Sequence, residues 1–323
     1  MHLIDTHCHL HDREFFKETQ AEEMLKNARA RGVRQIICIG TSHEDSLAAQ
    51  QFAEKHKNVF WTYGIHPEEA KASFELGRSE VDLCSVLCPI PHAPAVQTTT
   101  FTKRVRGDVV DERRTECCGL DDCERRTRTE TERKATNKLV AIGEIGLDYH
   151  YPGYDRQAQI KLLEQMLDLA VRLKLPCSFH VRDAFDDFFA VTRNFRLEGR
   201  LKPSVIHSFS DSKENLLAAL NSDFYIGING LATFANLDCY SGDYIDEFFV
   251  RERVVLETDA PFLTPASNRG KINEPGNVAD VASWLARKIG VTEVEIAEWT
   301  TKNARKIFNL PDPEPAHGAD SCA

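Results

Sequence analysis

No stretch of this chain approaches the roughly 18 uninterrupted apolar residues that a membrane span needs. The opening Met1-His2-Leu3-Ile4-Asp5 runs into a strand-like segment where an exported protein would show a basic and then an apolar leader. Neither a membrane protein nor an exported one is expected. Cysteine is too sparse for a disulfide scaffold, at 10 in 323 residues, against roughly 8 to 10% in small disulfide-rich domains. Cys84, Cys88, Cys117, Cys118 and Cys123 crowd together while the rest are scattered, which reads as reduced thiols in a cytoplasmic protein, or a nuclear one in a eukaryote. Positive charge is short as well. The net charge of −10 disfavours broad adhesion to nucleic acid, although a local metal-lined cleft can still hold a phosphate. Global disorder is excluded in turn, because 42% of the residues are apolar.

What is present is alternation. Short apolar, β-branched runs recur at Leu3–Asp5, Gln35–Gly40, Val59–Gly64, Leu139–Gly143, Cys177–His180, Ser204–His207, Phe224–Gly227 and Val254–Glu257. Segments of helical period separate most of them, the clearest carrying Ile160, Leu163, Leu167 and Ala170 on one face. Thr41 with Glu44, Asp211 with Glu214 and Thr292 with Glu295 read as helix-starting pairs, and Gly290 as a helix stop. Strand and helix alternating in this way imply a parallel α/β sheet, and eight units suit a (β/α)8 TIM barrel over residues 1–310. The pattern breaks at 75–137, where period is lost, Pro89, Pro91 and Pro94 cluster, and Lys103–Lys138 carries 11 basic and 9 acidic residues. That segment reads as a long irregular, low-order insertion in place of the third helix region, and the Pro-rich 311–323 as a disordered tail.

Histidines mark the strand ends. His7 and His9 follow the first predicted strand, His66 the third, His180 the fifth and His207 the sixth; Glu144 follows the fourth and Asp259 the eighth. In a parallel barrel these ends converge on the face where active sites lie. Seven imidazoles and carboxylates sharing one mouth would be costly to desolvate without cations, and divalent ions accept both donor types. The His7-x-His9 spacing places both rings on one side of an extended segment. Glu144 is suited to bridge two ions, since Gly143 and Gly146 permit close backbone approach.

These blocks carry a resemblance. Asp5-Thr6-His7-Cys8-His9-Leu10, Gly64-Ile65-His66-Pro67, Gly143-Glu144-Ile145-Gly146-Leu147-Asp148-Tyr149, His180-Val181-Arg182-Asp183-Ala184, His207-Ser208-Phe209-Ser210 and Leu256-Glu257-Thr258-Asp259-Ala260-Pro261 resemble, in order, the motif series of the TatD family of metal-dependent deoxyribonucleases. Arg269 to Pro275 is similar to that family's late Arg/Asn-x-Pro segment. The resemblance implies a two-metal phosphodiesterase: His7, His9 and Asp259 on one divalent ion, His180 and His207 on the other, Glu144 between them, with Mg, Mn or Zn all admissible. Asp259 either takes the attacking water's proton or serves as a ligand only. His66 and Arg182 are assigned to the scissile phosphate, against a His66 ring fixed by Pro67 and an Arg182 salt bridge to Asp183 or Asp186. Tyr149 and Phe209 are candidates for stacking a base. Glu257, two residues before Asp259 on the same face, is read as orienting one of the ligand imidazoles, Asp5, on the strand face of His7, as open to the same role, and His2, His11, His43, His56, His92, His150 and His317 as solvent-exposed.

Two departures stand out: Ser208 and Asp211 replace a thiol and a glycine of the family pattern, and 75–137 is not covered by it. Cys84-x3-Cys88 and Cys117-Cys118-x4-Cys123 fit no ordinary zinc spacing. The expected activity is metal-dependent cleavage of DNA (RNA remaining open), exonucleolytic on single strands, by a monomer without an obligate protein partner. The rivals are a metal-dependent hydrolase of an amide or ester, and a non-catalytic metal or nucleic-acid binding protein.

Overall fold

The computed structural model describes residues 1–75, 98–105, 108–115, 138–235, 237–240 and 245–313. The chain divides into two compact units, Met1–Glu75 with Lys138–Ala323, and Leu76–Asn137. Within the second unit the described residues form one antiparallel pair, Thr98–Val105 with Asp108–Thr115. The cysteine groupings of this unit, and residues 314–323 of the tail, lie outside the described residues.

The first unit is an eight-stranded, all-parallel sheet in sequential order: β1 (Leu3–Cys8), β2 (Val33–Cys38), β3 (Val59–Tyr63), β4 (Leu139–Asp148), β5 (Cys177–Arg182), β6 (Val205–Ile206), β7 (Tyr225–Ile228) and β8 (Val254–Leu256). All eight segments anticipated from β-branched runs are strands, and their neighbours in sequence are their neighbours in the sheet. The last strand returns to the first: Cys8 bridges Ala260 in parallel, with His9 N–H donating to Ala260 O at 2.7 Å and Asp259 N–H to His7 O at 2.8 Å. The sheet therefore curls into a nearly closed TIM barrel.

Between the strands lie α1 (Glu18–Ala30), α2 (His43–Lys55), α3 (Ala70–Glu75), α4 (Arg156–Leu173), α5 (Phe185–Leu197), α6 (Lys213–Asn221) and α7 (Glu247–Arg253), and after β8 follow α8 (Val278–Ile289) and α9 (Glu293–Phe308). The apolar stripe of α4 buries Leu162, Leu163, Met166, Leu167 and Ala170, each worth about 1.5–3 kcal/mol for the larger side chains. Ile4, Ile37, Phe60, Val140, Val205, Tyr225 and Val255 form one buried cluster with Ala304, Ile307 and Phe308 of α9. Thr292 and Glu295 make the anticipated reciprocal cap of α9, and Gly290 ends α8 at φ 76°. Two caps fall one residue later than expected. Ser42 takes the Asp45 N–H at the start of α2, because Asp45 itself turns back to the Thr41 N–H and hydroxyl. Ser212 takes the Asn215 N–H at α6, while Asp211 braces Ser212 N–H and the Asn215 side chain.

Among the described residues no helix is long and apolar enough to cross a membrane.

Candidate metal centre

Every residue anticipated as a metal ligand arrives at one end of the barrel. His7 Nε2 lies 3.4 Å from Glu144 Oε2 and 3.5 Å from Asp259 Oδ1, and His9 Nε2 is also 3.5 Å from Asp259 Oδ1. On the other side, Glu144 Oε1 lies 2.8 Å from His207 Nε2 and 3.0 Å from His180 Nδ1. Three donor groupings result: His7 with His9 and Asp259, His7 with Glu144 and His207, and His66 with Glu144 and His180. Glu144 stands inside β4, not just past its end as the shorter predicted strand implied, since that strand continues to Asp148. Gly146 is what permits the continuation: it pairs with His180, and a Cβ there would meet the His180 carbonyl oxygen at 1.8 Å.

The electrostatics of the cluster are a contest between burial and the charges of neighbouring groups. Burial pulls His7 down to about 4, aided by the neighbouring His207. Burial also opposes charge on His207, yet the Glu144 carboxylate beside it outweighs this and pushes it up to about 9. His9 and His180 show the same contest, won by Asp259 for the first and by Asp148 and Glu144 for the second, so both are raised. Glu144 is held well below the usual carboxylate range, burial being outweighed by His207, His180 and His7. Asp259 is likewise lowered against burial, by His9 and His7. His7 Nε2 and His207 Nδ1 are buried without a hydrogen-bond partner. Separations of 3.4 and 3.5 Å between His7 Nε2 and two carboxylate oxygens match ligands about 2.0–2.2 Å from one ion. The donor set therefore fits divalent cations.

Support for this cluster comes from residues that sequence reasoning saw incompletely. Asp148 Oδ2 lies 2.8 Å from His180 Nε2, the carboxylate–imidazole arrangement that orients a ligand ring; its separation from Glu144 by four positions along one strand was the available clue. Glu257 is buried beside His207, but at 3.8 Å from Nδ1 it is too far to hold that ring by a hydrogen bond. Its Oε1 instead accepts from Ser208 N–H at 2.6 Å and Asn229 Nδ2 at 3.3 Å, and burial pushes it up to about 7. Ser208 takes part in the same network, its hydroxyl accepting from Asn229 at 2.9 Å. Asp5 touches no imidazole ring but braces the backbone of His7: its Oδ1 accepts from His7 N–H at 3.3 Å and Thr258 N–H at 2.9 Å, its Oδ2 from the Thr258 hydroxyl at 2.6 Å.

At the rim, His66 Nδ1 accepts the Glu68 N–H at 3.3 Å and its Nε2 faces Glu144 at 3.8 Å. Arg182 makes no salt bridge to Asp183 or Asp186 among the described contacts. It donates to the Tyr151 hydroxyl at 3.3 Å and lies over that ring at 5.3 Å. Tyr149 donates to Asp187 at 2.7 Å and stacks on Tyr154. Phe209 is not available to a substrate, being buried against Phe185. His11 is not exposed either: it is buried 2.9 Å from Asp45 and, although burial opposes the charge, Asp45 raises it to about 9. His56 packs half-buried on Phe52, while His92 and His317 lie outside the described residues. A cavity of about 730 Å³, lined by Arg196, Ser204, Tyr225, Phe248 and Arg253, lies at the opposite, N-terminal ends of β6–β8 and holds none of this chemistry.

An eight-stranded parallel barrel with histidines and carboxylates gathered at its C-terminal face defines a metal-dependent hydrolase. Comparison with known proteins makes this specific: the model of the TatD related DNase family matches residues 4–309, and the chain belongs to that family. It is 28% identical over 308 residues to the uncharacterized metal-dependent hydrolase YabD of Bacillus subtilis, covering 95% of this chain and 99% of that protein. It is 26% identical to a protein of Erwinia tasmaniensis named 3'-5' ssDNA/RNA exonuclease TatD, covering 95% of this chain and all of the relative, 100%. Among solved structures, the TatD homologue YJJV of Escherichia coli superposes with a TM-score of 0.71 at 25% identity, covering 96% of this chain and 98% of the other. A phosphotriesterase homology protein of Escherichia coli shares the fold at a TM-score of 0.57 and 13% identity, over 95% and 98% of the two chains.

Proposed function

We propose that the protein is a two-metal phosphodiesterase that removes nucleotides from the end of single-stranded DNA. The observation that carries this reading is the placement of Glu144, whose two oxygens address two different sets of imidazoles, His180 with His207 and His7. In this reading His7, His9 and Asp259 hold one divalent ion, His180 and His207 the other, and Glu144 both. A bound pair of Mg, Mn or Zn ions would activate water and offset the charge of the attacked phosphate.

The chain's own groups supply the rest. Asp259 is a carboxylate at neutral pH, being held below its usual range, and is placed to take the proton of the attacking water. His66 is neutral, pulled down to about 4 chiefly by burial. Because its Nδ1 accepts from the Glu68 N–H, its Nε2 carries the hydrogen and can donate a hydrogen bond to a phosphate oxygen. Arg182 spends one N–H on Tyr151 and keeps the remainder of its planar fork for phosphate. Tyr149 keeps only its ring for substrate, since its hydroxyl is committed to Asp187. The name of the Erwinia relative supports single-stranded nucleic acid as the substrate class.

Incubation with 5′- and 3′-labelled single strands of DNA and RNA, with and without each metal, tests the reading. Stepwise shortening from one end that stops with chelator is the expected result. Turnover of an ester or amide with every oligonucleotide left whole would replace it by the rival hydrolase, and metal binding without turnover of either would leave a binding protein.

A further inference from the structure

Beside the metal centre stands a pair of aromatic rings that the hydrolytic chemistry does not use. Phe262 follows β8 and Phe15 follows β1, so both lie at the seam where the barrel closes. They meet edge to face with centroids 5.3 Å apart, and Phe262 is in turn 6.4 Å from the His9 ring. Despite these contacts Phe262 remains 48% and Phe15 46% exposed, so a large apolar face is open to water three residues from Asp259. The backbone beneath it is fixed. Phe262 N–H donates to Asp259 O at 2.8 Å, and the buried Asn273 donates through Nδ2 to both Phe262 O, at 2.6 Å, and Thr258 O, at 2.9 Å. One buried amide thus ties the exposed ring to the strand end that delivers a metal ligand.

A rigid, open aromatic face a few ångströms from a centre that attacks phosphodiesters suits the π-face of a nucleobase, which stacks without regard to base identity and must be unpaired to do so. Resting on the nuclease reading above, we propose that Phe262, braced by Phe15, is the platform on which a base flanking the scissile phosphate stacks. Phe262 is then a specificity-determining residue, and it favours single strands because a paired base has no free face to offer.

The test uses the full chain with its metal and a short single strand carrying 2-aminopurine, or an abasic site, on either side of the cut bond. Wild type should quench the 2-aminopurine on binding, read by stopped flow before cleavage, and should lose roughly 5- to 100-fold in kcat/KM on the abasic strand. Phe262→Ala should raise KM by a similar factor with a smaller effect on kcat, show no quenching, and be indifferent to the abasic site; Phe262→Tyr should restore all three. Phe248→Ala, at a residue 73% exposed on the far end of the barrel, should match wild type. If wild type cleaves but Phe262→Ala keeps its KM and its abasic penalty, the platform is overturned and the nuclease reading stands. If wild type cleaves no oligonucleotide with any metal, both fall together.

Discussion

His7 lies flat on His207, the ring centroids 3.9 Å apart and the planes 9° from parallel. Two stacked imidazoles cannot both be charged, and the pair divides the proton unequally: His7 is pulled down to about 4 by burial and His207, while Glu144 drives His207 up to about 9. A metal ion must therefore displace a proton held on His207 at neutral pH. Apparent metal affinity should climb as pH rises toward 9 and fall steeply on acidification. Calorimetry of metal binding at pH 7 in buffers of different ionisation enthalpy should show release of about one proton or more; heats that do not change with buffer would contradict this.

The same pKa direction sets a stability prediction for the metal-free protein. A group raised in the fold, as His207 is, contributes stability that is fully present below its unfolded value near 6.5 and is lost as pH rises through about 9. Chelated protein should thus lose thermal stability between pH 7 and 9, and saturating metal should remove most of that loss. A chelated midpoint that rises over this interval would reject the assignment.

Glu144→Gln and His180→Ala should each lower hydrolysis by roughly 10³-fold or more, because each removes a donor on which both charge and geometry depend. Circular dichroism should show the barrel retained. Asp148→Asn is the milder case: it leaves His180 as a ligand but unsettles its ring, and should weaken metal affinity or activity by about 10- to 100-fold. Equal losses for Asp148→Asn and His180→Ala would mean that Asp148 is itself a ligand.

Asn273→Ala should cost about 2–3 kcal/mol in denaturant unfolding, since it strands the buried Thr258 carbonyl, leaves that of Phe262 without its partner and removes the acceptor for Asn277. Substitutions of exposed Lys271 nearby should stay within about 0.5 kcal/mol, so parity between the two would show that the loop does not depend on this amide.

Replacing residues 76–137 by a flexible linker should leave a folded, metal-binding barrel. On either side of that segment β3 pairs directly with β4, through Trp61 with Leu139 and Tyr63 with Ile142, and Lys138 donates to the Ala53 and His56 carbonyls at 2.6 and 2.5 Å. Loss of soluble protein would instead show that the segment completes the third unit.

The strands were legible because each is a run of β-branched or aromatic residues bounded by polar turns, and a parallel barrel then leaves only one way to order their ends. The candidate ligands were legible for the same reason, each being an imidazole or carboxylate at or just beyond such a run. What escaped depended on partners far away in sequence. His11 could be placed inside only by knowing that Asp45 stands against it, and Phe209 only by knowing that Phe185 covers it. Phe262 escaped for the opposite reason: an apolar residue after a strand is ordinarily packed away, and only the closed seam shows it left open. The caps moved by one residue because Asp45 and Asp211 turned toward other amides, a choice that local spacing does not determine.

The join between Cys8 and Ala260 brings His7 and His9, from the first strand, within 3.5 Å of Asp259, from the far end of the eighth. A chain emerging from the ribosome carries its early imidazoles for most of its synthesis with no late carboxylate to complete the set. The donor set is therefore complete only once translation has passed the eighth strand, and a fragment that stops before Asp259 lacks one of its carboxylates.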